Sequence, residues 1–550
     1  MNEISLLIGG KAGFGIDTAS LIIARILNQL GLRLYIYRDY PSLIRGGHTF
    51  SIVRAAEKMI YAHREKVDFL IALNQDTVDL HRDKIKDGTI IIYDSDTVKS
   101  EGTGISLGKI IQEENAPEIM RNTAVTGAFS QAAGIPWDIT EKVLKNNIAK
   151  EVDLNLKVAR RGFDAVGTLF KLEPQKEKIL PILTGNEALS LGLIRGGLKN
   201  YVAYPMTPCS SVLHFMASAA PDFGLKVLHP ESEISVILMA LGFSYMGEKT
   251  AVGTSGGGFC LMVEGLSFSG MSELPVVIIV GQRPGPSTGL PTYSAQTELS
   301  FVLNAGQGEF SRLVVAPGDA EEAYYLSALC LNLSWKYQLP AIILTDKNLS
   351  EGAYSFNIDS AGEINEEQPL MWGRQPVYKR YLNTETGVSP LAFVPDKDAV
   401  IKINSYEHDE SGITTEDVQL TKLMQEKRLR KEKYLSEELE KYKTVEVSGN
   451  KQSGIVLVCW GSNKGVCIEA AGKNNLRVIH PLVLRPFPIT QFQQALQGVE
   501  KIICVENNAG GQLADLLNLH GIRVDARILK YDGRPFTLEE LESEIEKAVK

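Results

Sequence analysis

Residues 276–292 read VVIIVGQRPGPSTGLPT, an unbroken apolar run, Val276 to Val280, that passes straight into Gly281-Gln282-Arg283 and a Pro/Gly/Ser/Thr turn. Such a run bounded by turn residues is a strand. An arginine at the carboxyl end of a buried strand is costly unless it meets an anion, and its planar fork matches a carboxylate. A salt bridge within the protein would satisfy Arg283 equally well. Upstream, the strand-like Thr250 to Val252 leads into Thr254-Ser255-Gly256-Gly257-Gly258 and a helical pattern from Phe259 to Phe268. Three successive glycines remove side chains where another group must come close.

Working outward, the same alternation runs from Leu183 to about Asp346, with an apolar strand at Ala341 to Leu344 and an amphipathic helix at Glu321 to Trp335. This rhythm predicts a doubly wound α/β domain. Open sheets of that kind bind ligands at the carboxyl ends of their strands. Tyr204-Pro205-Met206-Thr207-Pro208-Cys209-Ser210-Ser211 occupies such a place, between a short strand and a helix. Its prolines stiffen the turn and its hydroxyls can cap the helix, while Thr207 is pinned where it can present a hydroxyl to a ligand. Glu231 and Glu233 open the next helix, whose apolar face is read as Ile234, Ile237, Leu238 and Leu241. Both glutamates suit a helix N-terminus electrostatically, and the pattern alone makes both of them capping residues.

The first segment opens with strand-like Ile4 to Ile8, the glycines Gly9, Gly10, Gly13 and Gly15, and a helical apolar pattern from Ile22 to Leu30. The glycine order is GxxGxG, which does not match the dinucleotide fingerprint and leaves a tight turn and a phosphate-binding turn both open. Strands at Tyr35 to Tyr37, Phe69 to Leu73 and Thr89 to Tyr93 follow, and the charged stretch Glu173 to Lys178 reads as a linker. Residues 351–450 are polar and irregular before a charged helical stretch at Lys422 to Tyr442. The α/β rhythm then resumes with strands at Ile455 to Cys459 and Ile502 to Val505 and a closing helix from Leu538 to Val549, with Thr537 and Glu540 at capping-box spacing. The expected organisation is three α/β units, 1–175, 180–350 and 451–550, with a connecting arm at 351–450.

The 550 residues are too many for one hydrophobic core. Hydrophobic residues at 44% and charged residues at 22% are ordinary for a globular chain, and a net charge of -9 without any like-charge block argues against nucleic acid as a partner. No apolar run reaches membrane-spanning length and the N-terminus lacks the pattern of a signal peptide, so a cytoplasmic location without membrane association is expected. The six cysteines (Cys209, Cys260, Cys330, Cys459, Cys467, Cys504) form no CxxC and no metal-ligand spacing, so no metal or iron–sulfur cluster is expected on this chain.

Taken in order, GGKAGFGID and PSLIRGGHTF, LTGNEALSLGLIRGG, YPMTPCSS, ESEISVILMALGFSYMG, TSGGGFCLMVEGLSF, QRPGPSTGLPT, VAPGD, SYEHDESGITTED and VENNAGGQL closely resemble the α subunits of 2-oxoacid:ferredoxin oxidoreductases. The resemblance spans nearly the whole chain and is strongest to 2-oxoglutarate-type members with a γ domain fused at the N-terminus. It implies a γ-type domain, a pyrimidine-binding thiamine diphosphate domain and a transketolase C-terminal-like domain. The implied reaction is oxidative decarboxylation of a 2-oxoacid with coenzyme A, giving acyl-CoA and carbon dioxide and passing electrons to ferredoxin or flavodoxin. It also implies a partner β subunit that carries the magnesium and the iron–sulfur cluster, in a dimer of αβ units.

By the same resemblance, Glu233 is the glutamate that bonds the aminopyrimidine of thiamine diphosphate, Arg283 clamps the substrate's 1-carboxylate, and Thr207 stands beside the reacting 2-oxo group. Tyr204 and Pro205 lie at the cofactor. Gly10, Gly13, Gly15 and Arg45 fall near coenzyme A or at a domain interface. Met206, Cys209 and Gln307 depart from the family pattern, which bears on substrate choice. Pyruvate, branched-chain or aryl 2-oxoacids would use the same Glu233 and Arg283, and a non-catalytic assembly subunit of the same fold is the remaining alternative.

Overall fold

The structure is a computed structural model that describes residues 3–42 and 47–550. The chain forms two compact units. One takes the residues up to 183 together with 351–357 and 536–543, and the other takes 184–350, 358–535 and 544–550.

The first unit is built on strands β1 (Glu3–Lys11), β2 (Arg33–Asp39), β3 (His48–Ala56), β4 (Phe69–Ala72), β5 (Ile90–Asp94), β6 (Thr103–Ile105) and β7 (Ile182–Thr184). The order β6-β5-β4-β1-β3-β2 is extended at the β2 edge by a later strand, Ala353–Ser355, and then by β7. β1 and β4 pair in parallel, but β3 lies antiparallel between β1 and β2. The strand that follows β2 in the chain is therefore inserted between the two strands of the opening strand–helix–strand unit, which local periodicity does not reveal. Helices Arg121–Ala132 and Val152–Asp164 pack beneath the sheet at glycines. A Cβ on Gly127 would stand 1.9 Å from the Ala159 carbonyl oxygen, and one on Gly162 the same distance from that of Ala124. The two backbones touch, and any larger residue would force them apart.

In the second unit, β8 (Asn200–Ala203), β9 (Lys226–Leu228), β10 (Thr250–Ser255), β11 (Val276–Gln282), β12 (Leu313–Val315) and β13 (Pro340–Asp346) form a sheet in the order β12-β13-β11-β10-β8-β9. Its central members β10, β11 and β13 are buried from end to end, as parallel strands covered on both faces must be. The Ala353–Ser355 strand is β14. A second sheet follows from β15 (Val445–Gly449), β16 (Ile455–Cys459), β17 (Arg477–Pro481), β19 (Lys501–Glu506) and β20 (Ala526–Leu529), in the order β15-β17-β16-β19-β20. Between β17 and β19, β18 (Val483–Arg485) leaves that sheet and pairs antiparallel with β12 at the edge of the other. The expected strands at 276–280, 341–344, 455–459 and 502–505 all fall inside observed ones. The closing helix Leu538–Val549 begins with Glu540 N–H donating to Thr537 Oγ1 at 3.2 Å, as the capping spacing requires.

After one 3-10 turn at Ile358–Ser360, residues 361–417 are irregular, and the helix Val418–Leu439 follows. This charged helix is not a solvated rod. Lys427 and Lys431 are buried on it, and both pair with Glu273, which sits in left-handed backbone just past the helix Gly256–Ser272. Lys427 Nζ lies 2.8 Å from each Glu273 oxygen. Burial opposes the charge on Glu273, but Lys427, Lys431 and Arg380 outweigh it and hold the carboxyl well below the usual range. Burial pushes the Lys431 ammonium down to about 7. Among the described residues no helix is long and apolar enough to cross a membrane. The six cysteines are free thiols, five buried and Cys260 exposed.

Candidate active site

β10 pairs in parallel with β8 on one side and β11 on the other, so the turns that leave their carboxyl ends lie side by side. The turn after β8 carries Tyr204 to Cys209 into the helix Ser210–Phe223. Asn186 Nδ2 donates to the Pro208 carbonyl at 2.8 Å and to Ser211 Oγ at 2.7 Å, and Cys209 N–H donates to the Met206 carbonyl at 2.7 Å. The turn also packs down on the end of β11, where a Cβ on Gly281 would come within 2.7 Å of Cys209 Sγ. Thr207 is thereby fixed next to Arg283.

Arg283 follows β11 directly and is 8% exposed. Its Nη1 donates to the Thr207 carbonyl at 3.1 Å, and among the described residues no carboxylate closes on it as an ion pair. Burial lowers its pKa, and nearby Glu298 works the other way. A guanidinium with one of five donors engaged keeps most of its fork for an incoming anion.

The two glutamates that sequence left equivalent are distinguished by the structure. Ser232 is the N-cap of the helix Glu233–Tyr245. Glu231 is exposed and accepts a hydrogen bond from the Ser235 hydroxyl at 2.8 Å, while the cap itself is made by Ser232, whose side chain accepts from Ser235 N–H. Glu233 is 6% exposed and turns inward, against the start of the helix Gly256–Ser272. A Cβ on Gly258 would stand 2.6 Å from Glu233 Oε1 and 2.0 Å from Thr254 Oγ1. The hydroxyls of Thr254 and Ser255 beside it are buried with no hydrogen-bond partner. The buried face of the Glu233 helix is Val236, Ile237, Ala240 and Leu241; Ile234 and Leu238, expected on that face, are about half exposed at 49% and 50%.

Sequence reasoning missed Glu298. Its Oε1 accepts from Thr297 Oγ1 at 2.9 Å, its Oε2 is buried without a partner, and a Cβ on Gly256 would meet Oε1 at 2.5 Å. Burial pushes its carboxyl up to about 7. The neighbouring Gln296 is an anchor: its Nε2 donates to the Trp460 carbonyl at 2.7 Å, and its Oε1 accepts from Asn463 Nδ2 at 2.8 Å and from Asn507 N–H at 3.0 Å. The VENN segment at the end of β19 thus holds the loop that carries Glu298. Neither residue stands in a pattern that sequence alone would single out.

Tyr204 is 37% exposed and its ring centroid lies 6.0 Å from that of His229. Gln307 lies along a groove of about 540 Å³ with Ile234, Leu238 and Leu261, its N–H donating to Ser267 Oγ at 2.8 Å. The remaining glycines belong to the other unit. Gly9 and Gly10, read as part of a turn, are strand residues of β1 opposite Phe50 and Thr49. The turn is confined to Ala12 through Gly15, where Gly13 and Gly15 have φ of 95° and 70° and Gly15 caps the helix Ile16–Gln29. Arg45 lies outside the described residues.

Residues 191–427 match the family model described as pyruvate flavodoxin/ferredoxin oxidoreductase, thiamine diphosphate-binding, and residues 5–165 match that of pyruvate ferredoxin/flavodoxin oxidoreductase. A 2-oxoacid:ferredoxin oxidoreductase subunit alpha from Sulfolobus sp is 32% identical over 100% of this chain and 97% of its own. The corresponding subunit from Saccharolobus solfataricus is 31% identical, covering 100% of this chain and 98% of its own. Among solved structures, 2-oxoglutarate:ferredoxin oxidoreductase from Magnetococcus marinus, determined with 2-oxoglutarate, coenzyme A and succinyl-CoA bound, superposes with a TM-score of 0.90 at 29% identity, covering 100% of both chains. With likeness running the full length of the sequence and of the fold, this chain belongs to the family of 2-oxoacid:ferredoxin oxidoreductase α subunits.

Proposed function

We propose that this chain works with a β subunit to convert a 2-oxoacid, 2-oxoglutarate in the first place, and coenzyme A into acyl-CoA and carbon dioxide, with two electrons passing to ferredoxin or flavodoxin. The observation that carries the reading is the Arg283 guanidinium, buried at the end of β11, bonded to the Thr207 carbonyl and, among the described residues, closed by no ion pair. Residues 1–175 serve as the γ-type domain, 180–350 as the pyrimidine-binding domain, 351–450 as the arm and 451–550 as the transketolase C-terminal-like domain. Magnesium and the iron–sulfur cluster belong to the β subunit, and the assembly is a cytoplasmic dimer of αβ units.

The residues present fit an aminopyrimidine. Glu233 supplies a buried carboxylate, Gly256 to Gly258 leave a face without side chains, and the unpartnered hydroxyls of Thr254 and Ser255 offer hydrogen bonds. When bound, thiamine diphosphate supplies the carbon nucleophile that the side chains of a protein lack. Glu233 accepts a hydrogen bond from the pyrimidine ring and holds a proton there. Arg283 binds the 1-carboxylate of the substrate through a charge-assisted fork and orients it. The Thr207 hydroxyl donates to the 2-oxo oxygen. Tyr204 and Pro205 wall the cofactor side of the turn, and Gly10, Gly13, Gly15 and Arg45 are assigned to coenzyme A or to an interface. The family models are named for pyruvate enzymes, which supports pyruvate as the second substrate candidate.

Co-expression with the β subunit and turnover of a panel of 2-oxoacids with coenzyme A tests the reading. Arg283→Ala should raise KM by about 10- to 150-fold, corresponding to about 1.5–3 kcal/mol for a hydrogen-bonded charge, with Arg283→Lys recovering only part. Glu233→Gln should leave KM near normal and lower kcat about 100- to 10,000-fold. An unchanged KM in Arg283→Ala refutes the clamp.

A further inference from the structure

Glu298 has no role in the reaction as proposed, yet it stands at its centre. Its loop is held from three sides. Thr297 Oγ1 lies 2.9 Å from Glu298 Oε1 and 3.4 Å from the Arg283 carbonyl, Glu298 N–H donates to Gln282 Oε1 at 3.1 Å, and Gln512 Nε2 donates to the Thr297 carbonyl at 2.9 Å. The carboxyl is held against Gly256 with one oxygen shut away and unsatisfied. The groups with charge or titration that face this corner are Arg283 from the end of β11, Cys209 from the turn after β8, and Glu233 from the start of its own helix, packed on Gly258 two residues beyond Gly256. Arg283 alone is a cation.

We infer that Glu298 is a positioning residue for the carboxylate clamp, trading its proton against substrate: it shares the charge of Arg283 as an anion when the site is empty, and takes up a proton when the 2-oxoacid carboxylate arrives. The inference rests on Arg283 being the clamp proposed above. A carboxylate with one oxygen sealed in the protein and a substrate carboxylate compete for one guanidinium, and like charges brought together in a desolvated site cannot both stay ionised. The substrate is anionic at any working pH and Arg283 keeps its proton throughout, so the proton must go to Glu298. Burial already places that group at about 7 before substrate adds its charge. Binding raises it further. Affinity is therefore fully present below the pKa of the empty site and is lost as pH rises through it, up to tenfold per pH unit.

The test uses the complex of this chain with its β subunit and two measurements. Oxamate, an unreactive 2-oxo carboxylate, is titrated calorimetrically at pH 8 in phosphate and in Tris, whose different ionisation heats report proton uptake. Steady-state KM for 2-oxoglutarate is measured from pH 6 to pH 9. The wild-type complex should take up close to one proton per oxamate and show KM rising with pH above about 7 at constant kcat. In Glu298→Gln uptake should vanish, and KM should stay flat with pH and no higher than the low-pH wild-type value. No buffer-dependent heat in the wild type, or the same pH slope in Glu298→Gln, overturns the inference. Arg283→Ala separates the two readings. If it leaves oxamate affinity intact, the clamp itself is wrong; if it weakens oxamate while the wild type takes up no proton, Glu298 alone has been misassigned.

Discussion

Gly258→Ala adds one methyl group at the point where the Thr254 hydroxyl and the Glu233 side chain converge. The new Cβ would lie 2.0 Å from Thr254 Oγ1, 2.6 Å from Glu233 Oε1 and 2.9 Å from Glu233 Cγ. Contacts below about 3 Å are not tolerated, so the hydroxyl must swing away and the carboxylate must retreat by roughly 0.5–1 Å. The two movements differ in consequence. Thr254 Oγ1 has no hydrogen bond to lose, and Ala in place of Gly favours the helix by up to about 1 kcal/mol. Overpacking at about 1–3 kcal/mol is thus partly offset, and the melting temperature of the isolated chain should fall by only a few degrees. A displacement of about 1 Å in a group that must meet a reacting partner costs on the order of a hundredfold in rate. The assay is kcat of the complex at saturating cofactor, beside the melting curve. Gly257→Ala is the control, because its methyl would find only the Ser287 carbonyl oxygen, at 3.8 Å. A Gly258→Ala complex with wild-type kcat would refute the placement of Glu233 at the reaction.

Glu273→Gln should be the most damaging isosteric change outside the site, since it strands the buried Lys427 and Lys431; leaving a buried charge without its partner costs about 3–5 kcal/mol, read as a drop of several degrees in the melting of the second unit. A second change, Lys431→Met, should restore part of that loss, and full additivity of the two would contradict a shared cluster. His480 predicts a pH effect. Its burial opposes a charge, but Glu322, with Oε2 at 3.1 Å, overcomes this and raises it to about 10. The folded pKa exceeds the unfolded one, so this stabilisation is complete below about 6.5 and fades as pH rises toward 10, by at most about 1.4 kcal/mol per pH unit. Lys431, pushed down to about 7, works in the opposite direction over the same range. His480→Gln should therefore remove the decline that histidine adds, and a melting profile against pH identical to wild type would show that the ion pair does not contribute.

Much of the fold was legible because its central strands are continuous apolar runs. Val276 to Val280 and Ala341 to Leu344 carry their own signal, and a polar turn at each carboxyl end marks where a ligand can sit. β3 was not legible, since HTFSIVRAA acquires its place between β1 and β2 only through pairing across the chain. Arg283 stood out because a charge after a buried strand demands a reason, and Thr207 because two prolines pin it. Glu233 could not be told from Glu231 by local pattern: both suit a helix start, and the difference is the packing of Gly258 against one and solvent against the other. Glu298 lies outside any regular motif, and its importance comes from its packing on Gly256 and one sealed, unsatisfied oxygen, properties of the packed chain. The charged stretch Lys422 to Tyr442 showed only as a charged helix in a connecting arm, because nothing local sets Lys427 and Lys431 apart until Glu273, contributed from more than a hundred residues away, pairs with them.

β18 has a consequence for how this protein is made. Ala316 N–H donates to the Leu482 carbonyl at 2.9 Å, and Val314 and Val315 face Arg485 and Val483, so the β12 edge of the seven-stranded sheet is covered by a strand that is synthesised after residues 347–482 have been added. Until then the ribosome carries a nascent sheet with an open, wholly apolar LVV edge, the kind of surface on which chains cross-pair. Translation stalled between β13 and β18 would expose that edge longest, and a chaperone that holds emerging chains has its greatest effect there. By the same token, a gene split anywhere in 347–482 would produce an amino-terminal fragment that must wait for its other half to seal it.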